Sequence, residues 1–260
     1  RNALQNILTR APLHRHWWIN DPDCLLVRPD TELTIPEVQT LASAIGLTGG
    51  SVLLSDDLPA LPQERLQIAQ ALLPVIDQRA QVLDLFESHT PSLVRLDLEN
   101  DLGAWQLLAI FNWEDKPTSM EFSPCKFQLP QDQIYWCREF WQGQIGQMSA
   151  DSPYVLHDVP THGVRVVAVR AYAVDQPSYL GGDSHLSQGL EIKEWEIEDR
   201  SVQMRFELGR QAGGKLYFYL PWRPTGFWEN DQSYMMQDQG KGIYSVEVDE
   251  IDGKLFEIRG

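Results

Sequence analysis

The sequence predicts an α/β segment followed by an all-β region, and three observations carry that prediction. Over residues 1 to 78 apolar positions recur at helical spacing between short apolar runs, and from about residue 80 the period changes from helical to alternating. Twice in the first segment such a run empties into carboxylates: Trp17-Trp18-Ile19 into Asn20-Asp21-Pro22-Asp23-Cys24, and Ser51-Val52-Leu53-Leu54-Ser55 into Asp56-Asp57. Both read as buried strands that end in polar groups, and the stretch between them is long enough for a helical crossover joining parallel neighbours. Carboxylates at the carboxyl ends of adjacent parallel strands are where a (β/α) barrel keeps its chemistry.

Residues 1 to about 12 read as the tail of an amphipathic helix, with Leu4, Ile7 and Leu8 on one face and Pro12 as its stop. The first strand, Trp17 to Ile19, follows. After the Asn20–Asp23 corner, Thr34 can cap a helix and Glu37, three residues on, can complete a capping box. Val38, Leu41, Ala42 and Ile45 mark its buried face, and Gly49-Gly50 ends the unit. The Ser51–Ser55 strand comes next, then a helix from near Pro62 with Leu66, Ile68, Ala69, Leu72 and Leu73 inward and Pro74 closing it.

Beyond residue 80, Trp105 to Phe111, Val164 to Val174 and Val202 to Leu208 read as strands, the last in strict apolar–polar alternation. Gly213-Gly214 and Asp252-Gly253 are hairpin turn signals. The β region is long for one small sandwich, so three units are expected: residues 1–78, an antiparallel sandwich over 79–182, and a second, smaller β unit over 183–260, divided at Gly181-Gly182-Asp183. Pro221 to Gly240, with Trp222, Trp228 and paired methionines, reads as an ordered loop.

Composition narrows the function. At 43% hydrophobic and 22% charged the chain is ordinary globular material with enough residues for two cores. A net charge of −16, with the 21 basic residues scattered, argues against a nucleic-acid partner. A neutral substrate suits that balance better, and nine Trp and eight Tyr suit sugar rings as well as cores. Cys24, Cys125 and Cys137 form neither a CxxC pair nor an even framework, so reduced thiols, no structural zinc and a cytoplasmic location are expected. No apolar run approaches the roughly 20 residues of a membrane span. The chain opens at Arg1, without methionine and inside a helical pattern, so it reads as the C-terminal part of something longer.

Asp21 and Asp23 are candidates for acid–base or hydrogen-bonding work on a sugar. Asn20 and Asp21 equally suit capping of the corner, and Asp56-Asp57 suit the start of a helical turn. His14 and His16 lack a Cys or carboxylate at ligand spacing, so no metal is assigned. His157, His162 and His185 have no Ser or Cys placed to make a triad. Trp136, Trp141, Trp222 and Trp228 suit carbohydrate stacking or core packing. No phosphate loop or dinucleotide fingerprint is present, so no cofactor is implied.

Trp17-Trp18-Ile19-Asn20-Asp21-Pro22-Asp23-Cys24-Leu25, then Leu47-Thr48-Gly49-Gly50 and Leu54-Ser55-Asp56-Asp57-Leu58, resemble α-galactosidases (melibiases) of glycoside hydrolase families 27 and 36. Phe111-Asn112-Trp113-Glu114-Asp115 and Pro160-Thr161-His162-Gly163-Val164 look like the β-sandwich that follows the barrel in those enzymes. The resemblance covers residues 1 to about 175. It implies the last two βα units, seventh and eighth, of a TIM (β/α)₈ barrel plus a C-terminal antiparallel β-sandwich. It also implies retaining hydrolysis of terminal α-D-galactosides, with a galactoside or oligosaccharide as substrate. The family's nucleophile and acid/base lie on earlier strands, so the resemblance assigns this chain no catalytic residue, and the chain alone is expected to be inactive. Asp23 matches a pocket-lining aspartate, Cys24 a neighbour bordering that pocket, and Trp18, Asn20 and Asp21 the motif around them. A related glycosidase or glycosyl-transferring enzyme of other sugar specificity, or a non-catalytic carbohydrate-binding β module, is the alternative.

Overall fold

The computed structural model describes residues 2–260. Helix α1 (Asn2–Arg10) buries Ile7 and Leu8 and gives way at Pro12 to a short 3-10 turn, Ala11–Leu13. The strand expected at Trp17 to Ile19 does not form. These residues are 77%, 45% and 59% exposed, and their only ladder contact is a bridge between His14 and Trp18. Within this chain the stretch finds no strand to pair with and no layer to cover it, and a strand without either has no reason to persist. Strand β1 (Cys24–Leu25) begins later and pairs in parallel with β2 (Leu53–Leu54), Cys24 opposite Leu53. The parallel pairing stands, but Asp21 and Asp23 precede their strand instead of following it.

Helix α2 (Ile35–Leu47) makes the crossover, and its capping box is formed: Thr34 Oγ1 accepts from the Glu37 N–H, and Glu37 Oε2 accepts from the Thr34 N–H at 2.9 Å. Val38, Ala42 and Ile45 are buried as expected. Thr40, Ser43, Ala44 and Leu47 are buried too, because α2 lies between α1, the next helix and a large sheet. Helix α3 (Gln63–Gln70) ends short of Leu72; Ile68, Ala69 and Leu72 are buried and Leu73 half-buried. No described helix is long and apolar enough to cross a membrane.

The first β unit contains β3 (Gln81–Val82), β4 (Leu93–Asn100), β5 (Gly103–Phe111), β6 (Thr118–Phe122), β7 (Tyr135–Glu139), β8 (Ile145–Met148), β9 (Tyr154–Val159) and β10 (Val164–Ala171). A six-stranded antiparallel sheet runs β3-β4-β5-β10-β7-β8, and β6-β9 form a two-stranded cover. Alternation sorts the residues of β5 and β10 into two cores. Leu107, Ala109, Phe111, Val164, Val166 and Ala168 pack with the helices, while Leu108, Ile110, Val167 and Val169 pack under β6-β9 with Phe122, Phe127 and Leu156. Hence the centre of β10, Val166 to Val169, is apolar throughout, with Arg165 and Arg170 buried beside it: both faces of the strand are covered.

The second β unit contains β11 (Ser178–Gly182), β12 (Ile192–Glu198), β13 (Ser201–Phe206), β14 (Gly214–Tyr219), β15 (Gly226–Glu229), β16 (Gln232–Tyr234), β17 (Gln237–Gly240), β18 (Ile243–Val248) and β19 (Leu255–Arg259). Sheets β11-β14-β18-β17 and β12-β13-β19-β15-β16 enclose one core, with Val202, Met204 and Phe206 inward as their alternation requires. Strand β11, on the near side of the 182/183 division, pairs with β14. The Pro221–Gly240 stretch is largely strand, not loop. Gly213-Gly214 and Asp252-Gly253 do not close hairpins, since each joins a strand of one sheet to a strand of the other. The tight reversals fall elsewhere, as at Asp199 between β12 and β13 and Asn230 between β15 and β16, both at positive φ.

Residues 183–190 tie the three units together. His185 Nε2 lies 2.7 Å from the Pro74 carbonyl, and the Leu186 N–H donates to Ala71 O. Trp105 Nε1 donates to Ser187 O at 2.9 Å, and Arg170 reaches Gln188 O. From the first unit, buried Arg138 pairs with Asp183 and donates to Gln188 Oε1 at 2.8 Å.

Candidate functional site

The Asn20–Cys24 corner is built by short-range polar contacts. Buried His14 accepts the Asn20 N–H on Nδ1 at 3.0 Å, and the Asn20 side chain takes the Trp18 indole N–H at 2.8 Å. Burial, aided by the neighbouring Arg15 charge, holds the His14 imidazole below its ordinary value, so it is suited to accepting. The Ser51 N–H closes on Asn20 O at 3.0 Å. That approach explains Gly49-Gly50: a Cβ on Gly50 would stand 2.3 Å from Asn20 O, and Gly49 has φ +74°.

Asp21 Oδ1 accepts the Asp23 N–H at 3.0 Å, and Asp23 Oδ1 accepts the Cys24 N–H at 2.8 Å. Asn20 is therefore a buried part of the frame, whereas Asp21 and Asp23 stand exposed above it. Asp23 has φ +71°, a left-handed backbone that its own carboxylate helps to hold.

Two cavities meet at Pro22-Asp23. One, about 470 Å³, is walled by Trp18, Asn20, Asp21 and Asp23 with Asn6 and Arg10 of α1. The other, about 720 Å³, is bordered by Asp23, Cys24, Arg28, Glu37, Trp113 and His162. All five residues singled out from the motif thus border one or both cavities. Asp56 does not join them. Its side chain is fully buried, accepting the Val27 and Arg28 N–H groups at 2.7 and 3.1 Å and the Arg28 guanidinium at 2.9 Å, so it braces the turn after β1.

His162 is the residue that chain order concealed. Its loop lies in the first β unit with φ +54°, and its ring bridges Glu37 of α2 (Nδ1 to Oε1, 3.1 Å) and Asp115 (Nε2 to Oδ1, 3.0 Å). Trp113 stacks on Phe111 at 5.3 Å and donates its indole N–H to Pro91 O, which fixes its ring beside the same cavity. The signal available in the sequence was that both residues sit in the sandwich motifs; only tertiary structure brings them to Asp23. Burial raises the Glu37 pKa, but hydrogen bonds from the Thr34 N–H and hydroxyl and the contact with His162 outweigh it, so the carboxyl lies below its ordinary value.

His185 and Ser187 do approach each other, at 2.6 Å, but inside the protein beside buried Glu191, where no substrate reaches. Among the described residues, no three His, Cys, Asp or Glu side chains gather as a metal site. Cys24, Cys125 and Cys137 are free thiols, and burial pushes the Cys137 thiol far up.

No protein-family model matches the sequence. The structure is similar to α-galactosidase I from Mortierella vinacea (TM-score 0.50, 17% identity, 65% of this chain and 43% of that one). It is similar also to an α-galactosidase from Saccharomyces cerevisiae solved with raffinose (TM-score 0.50, 13% identity, 65% and 51%). A candidate α-N-acetylgalactosaminidase from Bacillus halodurans C-125 gives TM-score 0.51 at 12% identity, over 66% and 43%. The chain spans about half, or less, of the length of these structures. The resemblance to α-galactosidases read from the sequence therefore holds at the level of fold.

Proposed function

We propose that this chain is the C-terminal portion of a retaining α-galactosidase-like glycoside hydrolase acting on terminal α-D-galactosides. Residues 1–78 then supply the seventh and eighth βα units of a (β/α)₈ barrel, and the nucleophile and acid/base come from earlier units. The observation that carries this reading is the corner itself: an exposed Asp23 held at positive φ where two cavities meet. Its Oδ1 takes the Cys24 N–H, which leaves Oδ2 to accept from a sugar hydroxyl. Trp18 has its indole N–H engaged with Asn20 and offers a ring face, while Cys24 borders the larger cavity. Asp21 sets the turn.

Two further features support it. A parallel pair of two-residue strands is too small to stand as a sheet, and parallel sheets are covered on both faces. Exposed Trp17, Trp18, Ile19 and Leu53 are the apolar surface that additional βα units would cover. Retaining hydrolysis needs two carboxyl groups at the anomeric carbon. On this reading Asp23 holds the terminal sugar and performs neither role, so the chain alone is inactive.

The test is hydrolysis of a chromogenic α-galactoside by the protein of the entire reading frame and by the 260-residue chain. We expect turnover by the former only, reduced at least about 100-fold, roughly 2.7 kcal/mol, by Asp23→Ala with circular dichroism unchanged. Turnover by the 260-residue chain, or indifference to Asp23→Ala, would sink the reading. The likeness to a candidate α-N-acetylgalactosaminidase favours a second sugar specificity, and a chromogenic α-N-acetylgalactosaminide run in parallel distinguishes the two.

A further inference from the structure

Away from the Asp23 corner, where the three units meet, two cavities of about 370 and 620 Å³ adjoin, sharing Gln67 and Asp183 in their walls. Helix α3 forms one side. Its Gln63, Gln67 and Gln70 fall at i, i+4 and i+7, so one helical face presents a row of amides along the trench. Gln39 of α2 and Gln142 of the β7–β8 turn line the smaller cavity together with Gln67, and so does Trp141. The Trp141 ring is set in advance, its indole N–H on Ser43 Oγ at 3.0 Å and its edge against Phe140 at 4.9 Å between centroids.

The charges around the trench select its ligand. Among the described residues that line it Arg210 is the one basic residue, and its guanidinium is spent on the carbonyls of Leu73 (2.8 Å), Ser184 (2.7 Å) and Gln211 (3.2 Å). Asp183 is answered by buried Arg138. The other nearby cation, Lys215, lies over the ring of Tyr217 at 5.4 Å, and the carboxylates Glu64, Glu247 and Asp249 of the lining outnumber it, a balance that disfavours anionic ligands. Side-chain amides both donate and accept, as hydroxyl groups do, and carboxylates such as Glu64 and Asp249 accept from hydroxyls. The trench is longer than either cavity alone, which fits several linked rings.

We propose that this trench binds a neutral oligosaccharide chain along α3, with a ring at Trp141, as a site separate from the Asp23 corner. It does not rest on the catalytic reading above. A rigid aromatic beside a row of amides is an arrangement that orders a flexible polyol at little cost to the protein.

The experiment is calorimetric titration of the 260-residue chain with cellopentaose, maltopentaose and mannopentaose, together with nuclear magnetic resonance of the Trp141 indole N–H. Saturable binding of at least one pentasaccharide is expected, with a shift of that resonance. Gln67→Trp, which fills the junction of the cavities from an exposed helical position, should weaken binding by about tenfold or more, and Asp23→Ala should leave it unchanged. Gln142→Ala, on an exposed turn, should weaken it several-fold and guards against misfolding of the larger substitution. Absence of saturation with all three sugars up to about 10 mM would overturn the proposal. So would binding lost in Asp23→Ala yet kept in Gln67→Trp, or binding of pentalysine in place of the sugars.

Discussion

The α/β segment and the second β unit use similar residues to different effect. In the second unit Val202, Met204 and Phe206 alternate inward and meet Phe256, Ile258, Leu216 and Phe218, so every apolar side of β13 has its partner in this chain. In the α/β segment Trp17, Trp18, Ile19 and Leu53 are as apolar, yet they stand in solvent and only four residues pair as strand. Propensity is not what differs. A strand is completed by its neighbours, and one unit contains its neighbours while the other has an open side.

The comparison is broken most forcefully from the closed side. Phe206 is buried edge-on against Tyr179 and Phe256, so Phe206→Ala should cost about 3–5 kcal/mol in urea unfolding. A loss under about 1 kcal/mol would mean the unit is not packed as described.

The seam between the α/β segment and the first β unit is tested by pH. The Glu37 carboxyl lies below the ordinary value of 4.5, so it contributes stability that is complete above that value and fades as pH falls through its lower folded value. Unfolding midpoints should therefore drop between about pH 5 and pH 3 by more in the native chain than in Glu37→Gln, and Glu37→Gln should be the less stable near pH 6 by about 1 kcal/mol or less. Parallel pH curves for the two would exclude the arrangement of Thr34, Glu37 and His162.

The smallest effect is the one expected on the open side. Trp17→Ala should change the stability of the 260-residue chain by no more than about 0.5 kcal/mol. The same substitution in the protein of the entire reading frame should cost several times that, if further βα units cover this surface. Equal effects in both would remove the open side from the comparison.

Legibility in the sequence followed the range of the interactions. The Thr34–Glu37 capping box, the alternation of β13 and the Gly49-Gly50 break depend on residues a few positions apart, and each is found in its place. Trp17–Ile19 has the composition of a buried strand but no partner, so pattern alone misplaced it. Gly213-Gly214 and Asp252-Gly253 have hairpin chemistry, yet the chain uses them to change sheets, a choice fixed by pairings as distant as Gly214 with Val248 and Ser201 with Arg259. At the corner, the frame around Asn20 and the exposure of Asp23 agree with the motif. Glu37 and His162 are 125 positions apart, and nothing in local spacing joins them.

The segment 183–190 also sets a schedule. The Pro74 carbonyl leaves the ribosome 111 residues before His185, the side chain that anchors it. At about 5–20 residues per second that is an interval of roughly 6–22 s, during which the helices are outside the tunnel without their fastener while the first sheet, whose last strand ends at Ala171, emerges strand by strand. Assembly of this protein is thus timed from its second half: the early units wait, with the face of β5 and β10 that α2 covers as their meeting ground, until a late-made loop locks them in register.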